Sequence, residues 1–286
     1  MSWQIALGIL VIINTCSIIL TKVAADKLSK RSVGIFYQYL ICAILAILYA
    51  VFSGRLDISS VPVFIGISAV GFINAFGNYF QWQASNLSLS RTSLFLPLME
   101  VVTILLAVIF LQEAVLWNAK LVLGATLCFL AIFLFRWQPS DKILKNKWFL
   151  FIIGMVLILG IAGFLLKVFS FTVSSETFLV AWYVGALIGS LPILGLEKQN
   201  PLKADAKTLL TVLPVSIAIL GSLFALYWTY QLGGPVSLVL PIRGLAITII
   251  PILVGWFVFK ERKGFTKTEW LAFSLGIAGA VMVLLR

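Results

Sequence analysis

Ten apolar runs of about 18 to 23 residues, separated by short polar or turn-forming links, leave this chain few ways to fold. A helix rises about 1.5 Å per residue, so roughly 20 residues cross a ~30 Å hydrocarbon core. The runs lie at 3–23, 34–52, 62–80, 92–111, 117–135, 148–169, 177–194, 208–230, 236–259 and 270–285, joined by links such as Ser53-Gly54-Arg55 and Gly233-Gly234-Pro235. No period-two alternation recurs over about ten residues, which sets a transmembrane barrel aside. Only 11% of residues are charged and 62% are hydrophobic, against about 25% charged in an average soluble domain. The expectation is an all-α integral membrane protein.

The formal charge is +11, yet Lys and Arg fall between the runs and not along one amphipathic face. A nucleic-acid partner is therefore not expected, and a charge bias across the bilayer is. Arg55, Lys120 and Arg286 fall on one side, Lys22, Lys167 and Arg243 lie within spans, and the other basic residues share the opposite side. The richer side should be cytoplasmic, with both termini outside and a bacterial inner (plasma) membrane as the setting. Val23-Ala24-Ala25 could pass for a signal cleavage site. However, no Lys or Arg precedes the first run, which also exceeds the usual core of about 7 to 15 residues, so the segment is expected to stay.

Several chemistries are excluded. Histidine is absent, which removes imidazole-activated nucleophiles, HExxH metal sites and imidazole proton relays. Cys16, Cys42 and Cys128 sit inside apolar runs without a CxxC, so neither a disulfide framework nor a zinc site is supported. No GxxxxGK[ST] loop is present. No cofactor, metal or enzymatic activity is expected.

The chain repeats itself. At one constant offset Trp3 falls on Trp148, Lys22 on Lys167, and Tyr37-Gln38 on Trp182-Tyr183. Ser93 and Pro97 fall on Ser237 and Pro241 at nearly the same offset, and Glu113 falls on Glu261 about one helical turn later. This divides the chain into two five-helix repeats, 1–144 and 145–286. Five is odd, so consecutive units enter the membrane from opposite sides. Inverted repeats of this kind are common in secondary transporters, whose substrate site lies between them near mid-membrane.

Glu100 and Arg243 are the sharpest signal, each about eight residues into its span. A lone charge there costs at least ~2.5 to 3.5 kcal/mol, so such residues face a cavity or a partner. They either lock the fourth span to the ninth or line a substrate path. Lys22 and Lys167 lie near span ends, where a long stem can snorkel to the interface or reach the cavity. Pro97 and Pro241 each remove a backbone donor in a helix interior, giving matched kinks that either shape packing or act as hinges. Asn74, Asn78 and Gln81 share one face of the third span and should line a cavity. Tyr227, in the eighth span's aromatic cluster, is a further candidate. Gly185 and Gly189 form a GxxxG packing surface, which leaves a homodimer open.

Taken together, Lys22 late in the first helix, Pro97 within the fourth, and the helix-end acids of Leu111-Gln112-Glu113 and Phe259-Lys260-Glu261 resemble the drug/metabolite transporter superfamily, specifically its EamA-like ten-helix members. The resemblance covers essentially the whole chain. It implies a transporter of small metabolites whose first, third, fourth, sixth, eighth and ninth helices surround a central cavity while the fifth and tenth stay peripheral. The chain departs from that family at Tyr37 and Gln38, where an Arg is usual, and at Glu100 and Arg243. The expected function is secondary active export of a small polar, anionic or zwitterionic metabolite, coupled to a proton or counter-solute. The competing readings are a lipid-modifying or lipid-binding membrane protein and a non-transporting scaffold.

Overall fold

Polarity in this protein runs opposite to that of a soluble domain. Phe52, Ile109, Phe110 and Leu210 face outward, while Lys22, Gln38, Glu100 and Lys167 are buried. Lipid demands this arrangement, because apolar side chains cost nothing in hydrocarbon and polar ones need protein partners. The computed structural model describes residues 2–58, 60–112, 119–136, 142–261 and 266–284. These form α1 (Trp3–Lys27), α2 (Arg31–Ser53), α3 (Val61–Leu87), α4 (Leu89–Leu94), α5 (Leu96–Leu111), α6 (Ala119–Arg136), α7 (Lys142–Phe169), α8 (Ser175–Leu196), α9 (Ala206–Gln231), α10 (Val236–Phe257) and α11 (Lys267–Leu284). Among the described residues there is no strand. Eight spans among the described residues are long and apolar enough to cross a membrane, α4 and α5 counting together as Leu89–Leu111. The chain is an all-α integral membrane protein. Glu113, Arg262, Lys263 and Arg286, which entered the sequence reading, lie outside the described residues.

The fourth apolar run is not one helix, and this corrects the expected position of Pro97. The chain breaks at Phe95 (φ −102°, ψ −2°), and Pro97 sits in the first turn of α5. A proline inside a helix clashes with the carbonyl four residues back; at a helix start its missing N–H has no partner to lose. Pro241 does lie inside a helix, since α10 continues through it and through Pro251. The matched prolines therefore produce different local structures.

Small residues set the closest contacts. A Cβ at Gly185 or Gly189 would run into the backbone of Ser68 or Phe72 on α3, and one at Gly71 would meet the Trp182 carbonyl on α8. The Gly185/Gly189 face is thus used inside the protein, against α3. Elsewhere α1 packs against α9 and α10, α7 against α3 and α5, α2 against α8, and α6 against α11. These pairings leave a space at mid-height, where the polar faces of several helices converge.

Candidate functional site

That space is a cavity of about 160 Å³, bordered by residues of α1, α2, α3, α5, α7, α8, α9 and α10 and, among the described residues, by none of α6 or α11. The volume equals about five waters at roughly 30 Å³ each, enough for a small solute. Its wall combines apolar side chains such as Leu10, Met99 and Ile247 with amides, hydroxyls and one guanidinium.

On α1, Asn14, Ser17 and Thr21 follow one another at helical spacing and all border the cavity. Ser17 and Thr21 donate their hydroxyl protons back along the helix, to the carbonyls of Asn14 (2.7 Å) and Ser17 (2.8 Å). Their oxygen lone pairs remain able to accept. On α3, Asn74, Asn78 and Gln81 border the cavity, and the Asn78 amide donates to the Tyr39 hydroxyl at 3.0 Å. Trp182 and Tyr183 of α8 supply an aromatic wall. Among the described residues, the Tyr183 hydroxyl and the Asn14 side-chain oxygen are buried without a partner.

Arg243 reaches this cavity from α10. Its Nη2 lies 3.2 Å from Oε1 of Glu100, whose side chain is 2% exposed against 12% for the arginine. Glu100 does not border the cavity; it stands behind the guanidinium. The structure thus brings Arg243, Asn74, Asn78 and Gln81 to one cavity and puts Glu100 in contact through Arg243.

The other candidates lie elsewhere. Lys22 is at the end of the bundle rich in Lys and Arg, where its ammonium pairs with Asp26 (2.9 Å) and Glu261 (3.7 Å) and donates to the Asn86 carbonyl (3.0 Å). Lys167 is near the opposite end, donating to the Gly234 carbonyl at 3.2 Å and lying 4.7 Å and 4.8 Å from the ring centres of Phe171 and Tyr230. Tyr227 is fully buried, stacked on Phe178 at 4.2 Å. Its hydroxyl stands 2.9 Å and 2.8 Å from the carbonyls of Phe169 and Val173. It latches the segment after α7 and does not border the cavity.

Sequence reasoning missed Asn14, Ser17, Thr21, Tyr39, Trp182, Tyr183 and Ser222. The α1 set was detectable, because small polar residues three and four apart in an apolar run mark one face. Ser222 carried no such signal, standing six and seven residues from Ser216 and Thr229 on α9, and Tyr39 was masked by the adjacent Tyr37 and Gln38.

No protein-family model matches this chain, and no curated protein matches it. Solved structures similar in fold include one crystal structure of a protein, with a TM-score of 0.61 over 99% of this chain and 96% of its own at 14% identity. At that identity the likeness concerns the fold alone.

Proposed function

We propose that the chain is a secondary active transporter, an exporter of a small polar, anionic or zwitterionic metabolite, working by alternating access. The observation that carries this reading is the mid-height cavity whose wall includes Arg243, held by Glu100, inside a helical bundle with an apolar exterior. Charged groups at such depth are costly and persist where a polar solute or ion must be met. This is also the function that the resemblance to the EamA-like drug/metabolite transporters implies.

Ten transmembrane helices in two inverted five-helix repeats, 1–144 and 145–286, complete the reading, with α4 and α5 counted as one. Helix pairing supports it. The contact of α1 with α9 has its counterpart in α7 with α3, and that of α1 with α10 in α7 with α5. The backbone supports it too, because Gln112 (φ 50°) and Lys260 (φ 57°), which precede the two repeated acids, both turn left-handed. The break at Phe95 has no equivalent in α10, so the two halves differ in conformation at their matched prolines. Exchange of such a difference between repeats is how inverted pairs open first to one side and then to the other. On this reading the Lys- and Arg-rich end is cytoplasmic.

The test is solute flux in vesicles carrying the wild type, Arg243→Ala or Glu100→Gln. Each change removes a charged contact worth about 1.5–3 kcal/mol, so flux should fall about tenfold or more. Unchanged flux in both variants would remove the pair from the mechanism. Loss of all flux with retained lipid binding would favour the scaffold reading.

A further inference from the structure

Of the described residues bordering the cavity, Arg243 alone carries a formal charge. A guanidinium has five N–H donors and no acceptor. Among the described residues, Arg243 has one polar partner, Glu100 at 3.2 Å, and its Nε is buried with no acceptor. Glu100 in turn has no polar partner there besides the ion pair with Arg243, and its Oε1 accepts no well-aligned hydrogen bond. The site therefore holds unused donors toward the cavity and a carboxylate on the far side of them.

Charge balance then decides which solute fits. A cation would find no carboxylate on the wall and would face a guanidinium. A neutral solute would leave most of the guanidinium donors as they are. An anionic group satisfies them, and planar oxyanions match the guanidinium fork. Its arrival places two negative charges beside one positive charge in a buried site. An uncompensated buried charge costs several kcal/mol, whereas a neutral carboxylic acid in the same place does not.

Taking the cavity as the transport site proposed above, we infer that the solute is a small organic or inorganic anion that docks an oxyanion group on Arg243, and that Glu100 lets go of Arg243 and takes up one proton as the anion binds. Anion and proton then cross together, outward where the outward gradient of the anion exceeds the inward gradient of the proton. The proton comes from water on the side to which the cavity is open and ends on a carboxylate oxygen of Glu100; no covalent bond of the solute changes. Other charged groups on helices packed against α5 are engaged or distant. Arg91 of α4 and Glu269 of α11 pair with each other at 2.6 Å, and Lys167 of α7 donates to Gly234. Lys142, Lys145 and Lys147 lie at the start of α7, Lys267 at the start of α11, and Lys120 and Arg136 at the two ends of α6. Among the described side chains, Arg243 is the charged group that faces Glu100.

Full-length protein in proteoliposomes loaded with a pH-sensitive dye, with the membrane potential clamped, provides the test. The probes are gluconate, glycerate and inorganic phosphate, with glycerol and choline as neutral and cationic controls. Uptake of at least one anion should acidify the lumen by one proton per anion. Arg243→Gln should weaken binding of that anion at least tenfold, and the reduced flux that Glu100→Gln retains should carry the anion with no change in lumenal pH. Anion flux that leaves lumenal pH unmoved in the wild type, or flux confined to glycerol or choline, would overturn the inference while the transporter reading stands. Anion binding that depends on Arg243 but gives no flux would instead contradict transport and leave the anion site standing. The wild-type measurements decide both points even if a variant fails to fold.

Discussion

Ser90 donates twice to Glu261, through its backbone N–H at 2.8 Å and its hydroxyl at 2.6 Å. Leu89 N–H (2.8 Å) and the Ser88 hydroxyl (2.9 Å) reach the same carboxylate. A side chain following α10 thus takes up orphan donors at the start of α4, and its charge opposes the positive end of that helix. With Lys22 at 3.7 Å, this contact ties three segments of the basic end together.

The Glu261 contact makes stability depend on pH in a definite direction. Burial pushes its carboxyl up, but the hydrogen bonds from Ser90, Leu89 and Ser88 outweigh that and hold it below the usual value. The folded value is below the unfolded one, so the stabilisation is fully present above about pH 4.3 and is lost as pH falls through the depressed value. Thermal melts in detergent across that acid range should show the decline. Glu261→Ala should flatten this part of the profile and cost about 1.5–3 kcal/mol at neutral pH.

The Glu100 and Arg243 pair should be strongly non-additive. Removing either partner leaves the other buried and unpaired, at about 3–5 kcal/mol. Glu100→Leu together with Arg243→Met should recover most of that loss in a denaturation series while abolishing solute binding. A double variant no more stable than the singles would mean that each residue has another partner.

Helix α3 and helix α8 approach as closely as their glycines permit. Gly185→Ala places a methyl group against the Ser68 backbone, and overpacking of this kind costs about 1–3 kcal/mol. The melting temperature should drop, and the same substitution at Gly8, inside α1 with nothing within 4 Å of its added Cβ, should not lower it.

Tyr227→Phe separates a latch from a binding residue. It removes the hydroxyl near the Phe169 and Val173 carbonyls and keeps the stack on Phe178. Stability should fall by about 1 kcal/mol. Solute affinity should be unaltered, as checked by the binding isotherm of a transported solute.

Much of this architecture was legible because lipid makes the pattern simple: long apolar runs become helices, the fourth alone splitting in two among the described residues, and Glu100 and Arg243 at matched depth find each other. The Asn74, Asn78 and Gln81 face was legible for the same reason, amides having little to offer hydrocarbon. What escaped depended on contacts between distant segments. Pro97 fits the start of α5 equally well on local grounds as a kinked interior, and only packing around Phe95 decides between them. Lys22 and Lys167 repeat at equal spacing, yet a four-carbon stem can turn to either end of its reach, and the partners at the helix ends determine which. Tyr227 sits in an aromatic cluster that reads the same whether its hydroxyl meets a solute or a carbonyl.

The proposed alternating exposure of the central cavity is most directly tested by thiol labelling. Ser222 borders the cavity and is 8% exposed. In a background with Cys16, Cys42 and Cys128 replaced, Ser222→Cys should react with a membrane-impermeant maleimide applied from either face of sealed vesicles, and a transported solute should slow both reactions. Labelling from one face alone, or from neither, would contradict a cavity that opens by turns to the two sides.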